Sequence, residues 1–253
     1  MTIPPTLPDG EEKEPRDAAY WAQLTSLLQV SRVPTGALNL NVEGRQMVGP
    51  LQGFGQMWKK TYTLRLPEVS MTPAEVMEIW KANFARFQPR QNRFFPVMKT
   101  IEPGDIVLIN ASMTGMPLST GVMVLYADDE SFTLMTPQGH PESGWVTFSV
   151  SAEDDGLVCQ VQSIARANDP VYEIGFRTFG SHTQERIWIH VMEALAAHLQ
   201  VSGQVQVDKI CVDPRVQWSE ARNVWQNAAL RTMIYTLGAP LRWVRRGRAR
   251  RQR

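Results

Sequence analysis

Between residues 57 and 66 apolar and polar positions alternate. Trp58, Lys60, Tyr62, Leu64 and Leu66 fall on one face and Lys59, Thr61, Thr63 and Arg65 on the other, which predicts a half-buried strand. The period then changes. Thr72-Pro73-Ala74-Glu75 offers a capping threonine, a proline at the first helical position and a glutamate that closes a capping box. Val76, Ile79, Trp80, Phe84 and Phe87 follow as an apolar helical stripe, which Pro89 ends. From Phe94 to Ala165 the apolar runs are short, and strands are predicted over 106–111, 122–127, 132–136, 145–150 and 157–164. Asp128-Asp129 and Asp154-Asp155-Gly156 read as hairpin turns between them. Successive hairpins imply an antiparallel meander, because parallel pairing needs longer crossovers.

A second capping box, Ser181 to Gln184, predicts a long helix reaching about Leu199. Trp188, Met192, Leu195 and Leu199 recur on one face, flanked by Ile187 and Val191. That stripe needs a surface to pack on, and the inner face of the preceding sheet is the obvious one. Toward the N-terminus, Tyr20, Trp21, Leu24, Leu27 and Leu28 predict a further helix, and 34–55 reads as a long loop rich in Gly, Pro and Asn. Beyond the long helix come a short apolar run over 205–212 and a helix over 219–237, with Val224, Trp225, Ala228, Thr232 and Met233 inward. Gly238 and Pro240 would end it. The expected organisation is a disordered leader (1–16), an N-terminal helix and loop (17–52), a central domain (53–200), a C-terminal helical extension (201–241) and a basic tail (242–253).

Composition narrows the classes. The chain has 253 residues, 43% of them hydrophobic and 20% charged, ordinary values for a globular protein. No apolar run approaches the roughly 20 residues that a membrane-spanning helix needs. The start, Pro-rich and then acidic, lacks the pattern of a secretory signal. Two cysteines, Cys159 and Cys211, are too few for a disulfide scaffold and lack metal-ligand spacing, so a cytoplasmic setting is expected. The net charge of +1 hides seven arginines between Arg242 and Arg253; without them the body carries 19 basic against 25 acidic residues. The tail could contact an anionic partner nonspecifically or serve only as a solubilising end.

Candidate chemistry concentrates in Gly139-His140-Pro141-Glu142-Ser143-Gly144. Proline biases His140 toward extended geometry, so His140 and Glu142 can point the same way. A carboxylate beside an imidazole can fix its tautomer and raise its basicity, giving a general base or a polar anchor. The same pair could equally stabilise the turn through local hydrogen bonds. His182, His190 and His198 stand eight apart, about 12 Å between neighbours, too far for two of them to share one metal ion. They read as a solvated helix face. Cys159 reads as a small buried hydrophobe, and the serines lack a nucleophile-elbow context. No phosphate-binding glycine loop is present, and no cofactor is expected.

The order strand, helix, antiparallel meander, long C-terminal helix resembles the helix-grip domains of the START and Bet v 1 type. A closer resemblance is to uncharacterised protein family 0548. It is carried by Glu102-Pro103-Gly104-Asp105 before a strand and by the His-Pro-Glu-Ser-Gly string before the alternating 145–150. It covers roughly 53–199; the N-terminal fifty residues and everything after residue 200 lie outside it. The resemblance implies an α+β helix-grip fold and an apolar cavity between a curved sheet and its last helix, but no assigned reaction. The expected function is binding of a small apolar or amphipathic molecule. Met123, Met135, Trp145, Trp188 and Met192 would line the site, and His140 and Glu142 would anchor the ligand at its mouth. Strand alternation sets Val146, Phe148 and Val150 on one face and Trp145 on the other. Two alternatives stand beside this reading. One is a cyclase- or hydrolase-like enzyme using His140 and Glu142; the other is an adaptor acting through its terminal helices and arginine tail.

Overall fold

In the computed structural model the described residues are 18–239, apart from 24, 68, 97–100, 114 and 155. The expected leader and the tail from Arg242 to Arg253 lie outside them. The elements in chain order are β1 (Met47–Val48), β2 (Met57–Leu66), α1 (Pro73–Asn83), β3 (Asn92–Pro96), β4 (Ile106–Met113), β5 (Met116–Ala127), β6 (Ser131–Pro137) and β7 (Glu142–Glu153). They continue with β8 (Gly156–Ala167), α2 (Pro170–Gly175), α3 (Ser181–His198), β9 (Val205–Asp213) and α4 (Ala228–Leu237).

Alternation over 57–66 forms β2, with Tyr62, Leu64 and Leu66 buried and Arg65 exposed. The Thr72 capping box forms as read: the Thr72 hydroxyl accepts from the Glu75 amide at 3.3 Å, and the Glu75 carboxylate accepts from the Thr72 amide at 2.7 Å. The hairpins build a meander from β3 to β8; β2 then pairs with β8 and β9 with β2, every pair antiparallel. Inner-face residues of this sheet join α1 and α3 in one continuous core. The architecture is therefore an α+β helix grip, a curved antiparallel sheet around a long helix. Phe148 is the hub of that core. It stacks on Phe132 at 4.5 Å and meets Trp80, Phe84 and Trp188 edge-on.

Three expectations need correction. Among the described residues the N-terminal helix is absent apart from one 3-10 turn at Ala18–Tyr20. Trp21 bridges to Tyr126 instead, and the Ala22 amide donates to the Leu125 carbonyl at 2.9 Å, so the sheet rather than a helix satisfies this backbone. Leu28 is buried with Val42, Phe95, Leu108 and Met123 on the outer face of the sheet, whereas Tyr20, Trp21 and Leu27 are exposed. Secondly, Ser181 does not start its helix. The helical run begins at Pro170, where the Asp169 carboxylate caps the amides of Val171 and Tyr172, and a π-helical segment, Phe176–Gly180, carries it into α3. Thirdly, 201–241 is not a helical extension throughout. Val205–Asp213 is the edge strand β9, and the helix expected over 219–237 divides into a 3-10 stretch, Trp218–Gln226, and α4, which Asn227 caps. Trp225 is 83% exposed, not inward; Ala228 and Thr232 are buried.

Phe148→Ala should destabilise the protein by about 3–5 kcal/mol in urea unfolding, because the void it leaves is walled by rings that cannot collapse into it. Trp225→Ala, at the surface, should change stability by no more than about 0.5 kcal/mol.

Candidate ligand cavity

α3 does not fill the concave face evenly. Val191, Met192 and Leu195 are fully buried, facing a core that includes Trp80 and Phe84 of the α1 region. One to two turns earlier, Gln184, Ile187 and Trp188 instead border a cavity of about 140 Å³. That is roughly ten times the volume that admits a single water molecule. Its sheet wall includes Ile109 and Ala111 of β4, Thr120 and Val122 of β5, Leu134 and Thr136 of β6, and Val146 of β7. His140, Pro141, Glu142 and Phe176 also border it, as do Ser163 and Ala165 of β8 and the polar Gln91 and Asn92.

The strands splay where the cavity opens. Backbone pairing of β6 with β7 reaches Met135 and Trp145, and beyond that the Thr136 hydroxyl bridges both main-chain groups of Gly144, at 3.0 and 3.1 Å. Gly144 has φ +155°, and a Cβ there would stand 2.2 Å from the Ile164 carbonyl oxygen, so no other residue fits.

The preceding turn is held from outside. The His140 amide donates to the Pro137 carbonyl at 3.1 Å, with Gly139 at φ +86° in the position of the turn that favours glycine. The Gly139 carbonyl accepts from the Ala228 amide at 2.9 Å and from the Tyr172 hydroxyl at 3.5 Å, and the Gln138 amide donates to Gln46 at 2.9 Å. The N-terminal segment, α2 and α4 thus converge on this turn.

His140 and Glu142 do meet, but through the main chain. The Glu142 amide donates to His140 Nδ1 at 3.1 Å, and Nδ1 lies at the same distance from the Glu142 carbonyl oxygen. The amide proton is fixed by the backbone, and a buried amide left unpaired is costlier than a carbonyl. We therefore assign Nδ1 as acceptor, which leaves the ring proton on Nε2. The Glu142 carboxylate turns away from the imidazole. One oxygen accepts from the Gln184 amide group and the other lies 3.8 Å from Lys60 Nζ, which itself donates to Gln184. This triad links β7, β2 and α3 with side chains that are mostly buried. The expected carboxylate–imidazole contact is thus replaced by a carboxylate–ammonium one.

The other sequence candidates separate. Trp188 borders the cavity, whereas Met192 is sealed in packed core. Met123 and Met135 lie on the outer face, because Met123 pairs with Met135 and Met135 with Trp145 across the ladder while neighbouring Leu134 and Val146 turn inward. Trp145 borders the cavity, yet its ring and the Met135 methyl close over Gly49, 3.6 and 3.9 Å from where a Cβ would stand. Two residues that the sequence reading passed over join the site. Thr120 sits among inward apolar neighbours of β5, and Lys60 is the one charge on the inward face of β2. A polar residue in an apolar alternation is the signal for both. Thr120 Oγ1 and Trp188 Nε1 are buried with no hydrogen-bond partner. Cys159 is buried, and burial pushes its thiol up to about 12. Among the described residues no group of three or more His, Cys, Asp or Glu could hold a metal ion. His198 packs against the Phe87 ring, at 5.6 Å.

Burial lowers the His140 pKa from 6.5 to about 4, outweighing the Glu142 carbonyl, which would accept from Nδ1–H of the charged ring. Between those values the unfolded chain binds the extra proton and the folded chain does not. Stability from this group is intact above about pH 6.5 and falls as pH drops toward 4. His140→Asn, which retains an acceptor but does not titrate, should flatten the fall in Tm between pH 6.5 and 4; parallel melting profiles would contradict the assignment. Nitrogen-15 NMR of the wild-type ring at pH 7 should show the Nε2–H tautomer.

No helix among the described residues is long and apolar enough to cross a membrane. No curated protein matches the chain. Among solved structures it is similar to the di-domain ARO/CYC StfQ from the steffimycin biosynthetic pathway, at 8% identity and TM-score 0.45, over 57% of this chain and 51% of that one. The chain thus spans about half the length of StfQ. It is also similar to the KanY protein, at 16% identity and TM-score 0.44 over 58% and 99% of the two chains. A START superfamily protein from Mycobacterium smegmatis matches at 17% identity and TM-score 0.41 over 58% and 98%. Residues 76–194 match the family model described as Domain of unknown function (DUF1990).

Proposed function

We propose that the protein binds a small apolar or amphipathic molecule between its curved sheet and α3. The observation that carries this reading is the cavity of about 140 Å³ bounded by Ile187 and Trp188 on the helix and by apolar strand residues opposite. Across Glu142, Ala165 and Phe176 it adjoins a second, more polar cavity of about 210 Å³, which Trp58, Lys60, Arg177 and Lys209 also border. His140 and Glu142 stand at the polar edge of the first cavity and Trp188 at its aromatic one; the Trp145 ring lies on the outer face. Met123, Met135 and Met192, packed elsewhere, drop out of the proposed lining. In this reading the sheet with α1 and α3 is the binding unit, and residues 18–52 and 214–239 brace it from outside. The likeness to family 0548 and a cytoplasmic setting belong to the same proposal.

Binding is favoured over general-base catalysis by one feature. The Glu142 carboxylate is joined to Lys60 and Gln184 rather than to the imidazole, so it does not raise the basicity of His140.

Native mass spectrometry of gently purified protein, followed by extraction, should reveal a bound small molecule. Ala111→Phe, which builds a ring into the cavity from β4, should lose that adduct while Tm changes little. Retention of the same adduct by the filled variant would place the ligand elsewhere. An empty wild-type protein that takes up nothing from a total lipid extract would sink the reading.

A further inference from the structure

We infer that the cavity takes an uncharged, largely apolar molecule with a carbonyl-type oxygen, which the Nε2–H of His140 receives as hydrogen-bond donor. This rests on the cavity reading above and narrows it to a ligand class.

Charge is the first argument. His140 and Glu142 are the only titratable side chains bordering the cavity among the described residues, and no lysine or arginine borders it. The cations bordering the adjoining cavity are already matched: Lys60 to the Glu142 carboxylate and Gln184, Arg177 to Glu173, and Lys209 to Glu185. An anionic head group would meet a carboxylate with no free counter-charge, and burying an unpaired charge is strongly unfavourable. His140 itself is held neutral by its burial at ordinary pH.

Donor chemistry is the second. Nδ1 of His140 is occupied by the Glu142 amide, which leaves Nε2 as the N–H of the neutral ring. Trp188 and Thr120 also border the cavity, but Trp188 Nε1 and Thr120 Oγ1 are sealed from its free space. A neutral imidazole with Nδ1 engaged can only donate through Nε2. A neutral N–H donor thus stands at the edge of a largely apolar chamber, and a carbonyl oxygen is its complement. A hydrocarbon would leave that donor unsatisfied, at a cost comparable to a lost hydrogen bond.

The test uses three probes on the full chain: 2-octanone, its isostere 2-methyl-1-octene, and octanoate, titrated by tryptophan fluorescence. Wild-type protein should bind the ketone more tightly than octanoate. His140→Phe should weaken the ketone about 5- to 10-fold, the loss of one hydrogen bond, and leave the alkene unchanged. Unchanged alkene affinity also shows that the variant keeps its cavity. The C=O stretch of bound 2-octanone should move to lower frequency in wild-type protein and return toward its value in hexane in the variant. Equal weakening of ketone and alkene, or tighter binding of octanoate, would overturn the carbonyl assignment while leaving the cavity reading intact. Failure of all three probes to bind would overturn both.

Discussion

The position of the free volume depends on how the aromatic side chains pack. Trp80 and Phe84, from the α1 region, drive against Phe148, which stacks on Phe132 and meets Trp188 edge-on. Five large rings in mutual contact form a stiff plug, because each fills the space its neighbour would need to move. Trp188 is the boundary. Its ring is part of the plug and part of the cavity wall. On one side of it α3 is sealed to the sheet through Val191, Met192 and Leu195; on the other the sheet stands away from the helix. A long helix against a curved sheet can make close contact along only part of its length, and α1 determines which part.

The outer layers matter for the same reason. A chamber is useful only if its walls do not collapse into it. The turn carrying His140 cannot fold inward, because Gln46, Tyr172 and Ala228 hold it from behind. Gly139 belongs to that restraint: a Cβ there would stand 2.1 Å from the Gln226 carbonyl oxygen, so the C-terminal segment can lie against the turn only where the side chain is missing. Asn41 reinforces the arrangement, donating to the Ser119 carbonyl at 2.8 Å and to the Thr232 hydroxyl at 3.2 Å. These polar contacts are buried and paired, which makes the N- and C-terminal segments parts of one wall.

Much of the architecture was legible from period alone. β2, α1 and the meander announce themselves by alternation, by the Thr72 box and by acidic hairpin turns, all local signals. The failures share a cause: the deciding partner is distant in sequence. Tyr20 to Leu28 has helical spacing, yet Tyr126 and Leu125 take its backbone into an extended path. The helix read from Ser181 starts at Asp169 because Asn227, 58 residues away, donates to the same carboxylate that caps it and so fixes that end. At the site, alternation correctly set Trp145 opposite Val146, but nothing local says that Met123 and Met135 belong to the outer set. That follows from the cross-strand register, which one strand does not contain.

The same limit explains why the apparent acid–base pair dissolves. Extended geometry does bring residues 140 and 142 together, but the imidazole meets the backbone of Glu142 first, and the carboxylate is left to find another partner. Lys60 supplies it, from the inward face of β2, where an unpaired ammonium would be costly to bury. Each charge answers the other, and Gln184 from α3 bonds to both. The chamber edge consequently carries a matched pair rather than a net charge, and the histidine beside it stays neutral. A pair whose sequence reads as poised for proton transfer is, by its electrostatics, a place where a polar but uncharged group can be buried.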